Sequence, residues 1–126
     1  MTPSHIETSV NEINAFISKH NWMDFEIKSY DGYQLIIAGS TDLMYYHLIE
    51  ITFEDVFWFS GFMNGWRSDT SKVILKRSDD YRKFEIEQGY ELVEFDCEDY
   101  QNNVFVAAKT IHFNTEIKKL YDSENP

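Results

Sequence analysis

Over the first twenty residues the large apolar side chains fall at Ile6, Val10, Ile13, Phe16 and Ile17. Steps of four, three, three and one hold them on one face of a 3.6-residue helix, which predicts an amphipathic helix over residues 5–20. Ser4 and Glu7 have capping-box spacing, and Asn21 is the expected stop. The period then drops to two. Phe25, Ile27 and Ser29 alternate with Glu26 and Lys28, and Tyr33, Leu35 and Ile37 resume the alternation after Asp31-Gly32. Asp-Gly between two alternating runs predicts a hairpin closed by a type I′ turn, with positive φ at both central residues.

Residues 39–42 make the next connection. Beyond it Ile49, Ile51 and Phe53 read as one inward face, with His47 on that same face near the strand end and Glu50 opposite. Glu54-Asp55 interrupts the pattern and a strand starts again over 56–59. Gly61 and Gly65 bracket a loop carrying Phe62, Met63 and Trp66, with Arg67 beside it. A further strand is expected over 72–76. Residues 79–88 admit either a short helix capped by Ser78 or Asp79, or a strand in which Phe84 and Ile86 alternate, and the strand is preferred. Val93, Phe95 and Cys97 alternate with acids, an acidic turn spans 98–103, and 104–113 forms a long arm. Asn114 is placed to cap a last helix bearing Ile117, Leu120 and Tyr121.

One helix followed by strands joined through short turns predicts an α+β fold, an N-terminal helix packed on a curved, mostly antiparallel sheet of about seven strands. Strand–helix alternation, the mark of a doubly wound parallel sheet, is missing. A length of 126 residues suits a single globular domain spanning 1–126. No repeat, linker or low-complexity tract divides it.

Eight of the 22 residues from Tyr45 to Trp66 are aromatic, about twice the density of the chain as a whole. Aromatic side chains dominate cores and interfaces alike, so this run is either the centre of the fold or a surface that something covers. Core packing accounts for most of it. Phe62, Met63 and Trp66 lie outside regular alternation, beside Arg67. Trp and Arg are the types enriched at binding hot spots, which makes Phe62, Trp66 and Arg67 candidates for a partner surface.

Charge narrows the partner. The chain carries −11, and the window 79–99 holds nine acids against Arg82 and Lys83, or −7 of that total. Such a surface repels nucleic acid and anionic lipid and favours a basic protein. Glu85, Glu87, Glu91 and Glu94 are the expected negative strip if 84–97 is a hairpin, with Glu87, Glu91 and Glu94 as the partner-binding candidates. The single cysteine, Cys97, makes no internal bridge, and Met1-Thr-Pro-Ser-His begins neither a leader nor an anchor pattern, so the expectation is a cytoplasmic protein.

Signs of chemistry are sparse. The four histidines are scattered, and no Cys-x-x-Cys, His-x-x-x-His or calcium-loop spacing occurs, so no metal or cofactor is expected. No Gly-x-Ser-x-Gly elbow or phosphate-cradling glycine loop is present, and His47 and Glu50 are expected on opposite strand faces. A Cys97–His112 pair is conceivable on neighbouring strands, but a lone cysteine in an apolar strand usually acts as a small buried hydrophobe. These features favour a non-catalytic protein.

The acidic window, the run Leu48-Ile-Glu-Ile-Thr-Phe-Glu-Asp-Val-Phe-Trp-Phe and the stretch Val104-Phe-Val-Ala-Ala-Lys-Thr-Ile-His-Phe give the chain a pattern that resembles small bacterial immunity proteins of contact-dependent and polymorphic toxin systems. That resemblance implies a non-catalytic module binding a basic toxin, and carries over no site residue. The alternatives are a small-ligand binder or enzyme with an aromatic-lined cavity, its polar handles being Tyr45, His47, Trp58 and His112, or a homodimer formed through a strand edge or the Trp66 loop.

Overall fold

In the computed structural model of the chain, which describes residues 5–20, 22–69, 75–77, 81–82, 84–98, 100–116 and 118–119, the helical face reads as its periodicity requires. Helix α1 (His5–Ile17) buries Ile6, Val10, Ile13 and Ile17. Its last turn tightens, with the Lys19 and His20 amides donating to the Phe16 and Ile17 carbonyls at 3.2 and 2.9 Å, and this ends the helix three residues early. Ser4 and Asn21, the expected cap and stop, lie outside the described residues, as do residues 72–74 of the strand expected over 72–76.

Eleven strands occur among the described residues: β1 (Trp22–Tyr30), β2 (Gln34–Ser40), β3 (Tyr46–His47), β4 (Ile49–Glu54), β5 (Trp58–Ser60), β6 (Trp66–Asp69), β7 (Leu75–Arg77), β8 (Glu91–Phe95), β9 (Val104–Ala108), β10 (Thr110–Asn114) and β11 (Lys118–Lys119). They form a five-stranded sheet in the order β10-β4-β2-β1-β6, a four-stranded sheet β5-β9-β8-β7 and a short β11-β3 ladder, every pairing antiparallel. The α+β architecture with an N-terminal helix therefore holds. Strands outnumber the expected seven because two long arms bend and contribute to both large sheets, and because β3, β7 and β11 are only two or three residues long.

The bend organises the molecule. β4 gives way to β5 within three residues and β9 to β10 through Lys109 alone. The Phe57 amide donates to Ala107 O (2.8 Å) and the Lys109 amide to Glu54 O (3.1 Å), so hydrogen bonding continues around the corner, where Asp55 takes a φ of +55°. The two sheets thereby face each other. Phe95 of β8 meets Phe25, Trp66 and Phe53 of the opposite sheet at ring-centroid distances of 5.3, 5.4 and 6.3 Å. Gly39 makes room in this layer, since a Cβ there would stand 2.7 Å from the Phe25 ring and 2.9 Å from Ile49. Helix α1 packs on β10 and β7. Asn14 completes that contact like an added strand residue, its side chain accepting from the Leu75 amide (3.1 Å) and donating to the Leu75 carbonyl (2.6 Å). On another side the Ser68 hydroxyl donates to Asp96 O and the Glu98 amide to Arg67 O, tying β6 to the chain that leaves β8. No helix among the described residues is long and apolar enough to cross a membrane.

Four local expectations are corrected. The 31–34 turn is not type I′, because positive φ is confined to Gly32; the Asp31 carboxylate instead accepts from the Tyr33 and Gln34 amides at 2.9 and 2.7 Å. Of the segment 79–88, the described residues form turns, not strand or helix, with Glu85 at φ +57°, so 84–97 is no hairpin. The chain following Asn114 does not continue as the expected last helix, since Lys118 and Lys119 pair with β3; Ile117, Leu120 and Tyr121 lie outside the described residues. His47 does not share the face of Ile49 and Ile51. A bend at Leu48 separates β3 from β4 and turns His47 onto the outer face beside Glu50.

Candidate functional site

The outer edge of β5 stands across from the distal half of the β1–β2 hairpin. Between them lies an apolar cleft of about 290 Å³ lined by Ile27, Tyr30, Leu35, Val56, Phe57, Trp58, Phe59 and Met63. Its floor follows from strand alternation: Ile27 and Leu35 continue the inward face of Phe25 and Ile37 to the point where the sheets part. Its rim is exposed. Met63, in the loop from β5 to β6, is 77% accessible, and Tyr30 is 55% accessible. Isolated exposed apolar residues are ordinary on a protein surface, but several gathered around one apolar concavity make it the candidate site.

The segment around Phe84 and Tyr90, at the start of the acidic stretch 85–98, is fastened to this cleft. Tyr90 stacks on Phe57 and Phe84 on Trp58, both at 4.8 Å between ring centroids, while Phe84 also meets Phe105 at 4.9 Å. These contacts account for Phe84 and Tyr90 in a segment that packs over the outer face of the four-stranded sheet and leaves Arg82, Glu85 and Glu87 exposed. Lys109 sits over the Tyr90 ring at 5.2 Å and pairs with Asp55 at 3.3 Å. The bond to Asp55, more than any other neighbour, holds its ammonium above the ordinary lysine pKa. On the far side of Trp58 a second, more polar cleft of about 440 Å³ is lined by Phe84, Phe105, Glu94 and the amides of Gln101, Asn102 and Asn103. Trp58 thus forms a wall common to both clefts.

The residues singled out from the sequence are dispersed. Trp66 is the first residue of β6, 3% exposed and packed between Phe25 and Phe95, so it belongs to the core and not to a loop. Arg67 is held by Asp24 through two hydrogen bonds (2.7 and 3.2 Å) and lies 4.2 Å over the Trp22 ring. Phe62 stacks on Tyr100 at 3.7 Å. Glu87 is exposed, whereas Glu91 accepts from the Tyr81 hydroxyl and Glu94 from Asn103. Tyr45, His47, Trp58 and His112 share no cavity: Trp58 lines the clefts, Tyr45 is exposed, and the two histidines lie on the outer face of the five-stranded sheet. Of the cleft residues, sequence reasoning passes over Tyr30, and it places Met63 in the loop and Phe57 in the aromatic run without assigning either to a site. The available signals were a tyrosine directly before Asp31-Gly32 and a methionine between two glycines.

That outer sheet face carries two polar groups. His47, 4% exposed, places Nδ1 3.0 Å from Glu50, which also receives Lys28 at 2.7 Å; its Nε2 is buried without a hydrogen-bond partner among the described residues. At the sheet edge the Thr110 hydroxyl and His112 Nε2 each stand 2.9 Å from the same oxygen of Glu54. The Thr110 bond, followed by that of His112, holds the Glu54 carboxyl below its ordinary value. His112 is thereby occupied by Glu54 and by the ring of His5 at 5.6 Å, while Cys97 is buried with Phe95 in the core, so the imagined Cys97–His112 pair does not form. Among the described residues no group of three or more His, Cys, Asp or Glu side chains is placed to hold a metal ion. The arrangement at the cleft offers shape, apolar area and nearby negative charge, the means of recognition. No family model, curated protein or solved structure matches this chain.

Proposed function

We propose that this protein is a non-catalytic binding module that engages a basic protein partner, seating an apolar side chain of that partner in the cleft between β5 and the β1–β2 hairpin. The observation that carries the reading is the apolar cleft, joined through Tyr90 on Phe57 and Phe84 on Trp58 to the start of the stretch 85–98, which holds six acids and no base. An apolar anchor site beside exposed carboxylates suits a cationic surface bearing a large apolar residue. The volume of about 290 Å³ accommodates such a side chain and sits at the small end of the ~300–1,000 Å³ found for small-molecule sites. Long-range attraction from a net charge of −11 speeds encounter, and the desolvated aromatic anchor sets the off-rate. An immunity or inhibitor role fits these properties, because covering a toxin's active site requires area and charge but no reactive group.

The test is capture from a lysate of the source organism, eluted at low and then high salt, with Met63→Asp, Tyr30→Asp and the pair Glu85→Lys/Glu87→Lys alongside the natural chain. One dominant basic protein, released by salt and reduced at least about tenfold by either cleft variant, is the expected result. Equal capture by the natural chain and both cleft variants would remove the cleft from the reading, and capture of nothing basic would remove the reading itself. The same cleft also favours a second reading, an apolar small ligand; a compound that raises Tm in the natural chain and not in Met63→Asp would select it. Self-association is opposed by like charge, and light scattering that shows a concentration-dependent dimer would restore it.

A further inference from the structure

The cleft has a main-chain wall as well as side-chain walls. β1 lies between two strand neighbours only from Trp22 to Phe25; beyond Phe25 it pairs with β2 alone. β5 is the outermost strand of its sheet, paired only with β9. The cleft opens between these two half-paired stretches, and four consecutive residues, 56–59, line its β5 side. An edge strand presents N–H and C=O groups that template another strand, and proteins commonly shorten, charge or cover such edges. Here β5 is short, yet its flank is apolar and bordered by exposed Phe57 and Met63.

Resting on the binding reading above, we propose that the partner enters as an extended segment that adds a strand to β5, turning the four-stranded sheet into one of five. Alternate side chains of that segment are apolar and pack on Ile27, Tyr30 and Leu35; the intervening ones are basic. Charge selects this occupant over a second copy of the chain, since two molecules of −11 repel, whereas a cationic strand is attracted by that net charge and by the stretch 85–98, whose six acids with no base outweigh the exposed Arg82 beside it. β5 spans three residues, so the new ladder holds only a few main-chain bonds, and the cleft supplies the remaining affinity at every second side chain.

Peptides of about nine residues, long enough for one strand, would be selected from a random display library on the folded protein, and the tightest one synthesised. Two derivatives carry N-methyl groups on its odd-numbered or on its even-numbered residues. In a strand, successive amides point to opposite sides, so only one set faces β5. Expected is a loss of at least about tenfold in affinity for one set and less than about threefold for the other, with slowed exchange in the complex at those β5 amides that point away from β9. Binding in which the two sets behave alike, or in which β5 exchange is unchanged, overturns strand addition and leaves the cleft as a side-chain anchor. A library that yields no peptide sensitive to Met63→Asp overturns the binding reading and this inference with it.

Discussion

Replacing Trp66 separates support of the fold from contact with a partner. Its indole stacks on Phe25 at 5.9 Å and meets Phe95 edge-on at 5.4 Å, and its Nε1 is buried with no hydrogen-bond partner among the described residues. Trp66→Ala deletes both ring contacts and leaves a cavity, costing roughly 3–5 kcal/mol, a large share of the ~5–15 kcal/mol that stabilises a typical domain. Trp66→Phe behaves differently. It keeps one ring in the same slot and gives up the other, a loss of about 1–2 kcal/mol, while relieving a desolvated donor whose penalty is about 1–3 kcal/mol. The two effects nearly cancel, so Trp66→Phe should lie within about 1 kcal/mol of the natural chain. Urea unfolding followed by far-UV circular dichroism reads both variants, with an unchanged m-value required for a clean comparison. In thermal terms, Trp66→Ala should fall by roughly 10–20 °C and Trp66→Phe by no more than about 5 °C. Partner capture by Trp66→Phe should be normal. A loss above about 3 kcal/mol for Trp66→Phe would refute the reasoning about the buried N–H, and a loss below about 1 kcal/mol for Trp66→Ala would refute the placement of this ring in the core.

Three further outcomes are expected. Asn14→Ala removes both side-chain bonds to Leu75 and should cost about 2 kcal/mol, with amide exchange accelerated first at Leu75; unchanged exchange there would show that the helix is held by packing alone. Gly65→Ala should cost at least about 2 kcal/mol, because a Cβ would approach the Phe25 carbonyl to 2.6 Å at a φ of +94°, whereas Gly32→Ala, at φ +95° in open space, should cost about 1 kcal/mol; equal losses by thermal unfolding would discount the clash. Thr110→Val should raise the Glu54 pKa toward the ordinary carboxylate value, read by carboxyl-carbon NMR titration. Because the folded-state value is depressed, the stabilisation from these bonds is present above the ordinary carboxylate range and is lost as pH falls through the folded value. The variant should therefore resemble the natural chain more closely in acid than at neutral pH.

Features with an uninterrupted period were legible in the sequence. Five apolar residues on one helical face, and Ile49, Ile51 and Phe53 in strict alternation, identified α1 and β4 with their buried sides. Where a break is set by tertiary contacts, the pattern misled. The bend at Leu48 places His47 and Glu50 on the same side, against the parity of their positions. Phe84 and Ile86 alternate as in a strand, yet Phe84 is fixed by stacking on Trp58 across the chain. Trp66 follows two glycines and opens a strand of only four residues, too short for alternation to reveal its inward face. The cleft was hidden for a related reason. Tyr30 and Met63 are distant in sequence and meet only because the β4–β5 arm turns its corner at Asp55.

The docking of α1 on β10 also bears on how the chain is made. The helix is complete at Ile17, but β10 ends at Asn114, 97 residues later. At the ~5–20 residues per second of synthesis, roughly 5–20 s separate the appearance of the helix from that of its partner. During that interval Ile6, Val10, Ile13 and Ile17 have no completed sheet to cover them. Newborn chains therefore pass through a period in which the apolar stripe of α1 has no finished sheet to pack against, and its burial has to wait for the last long strand of the chain.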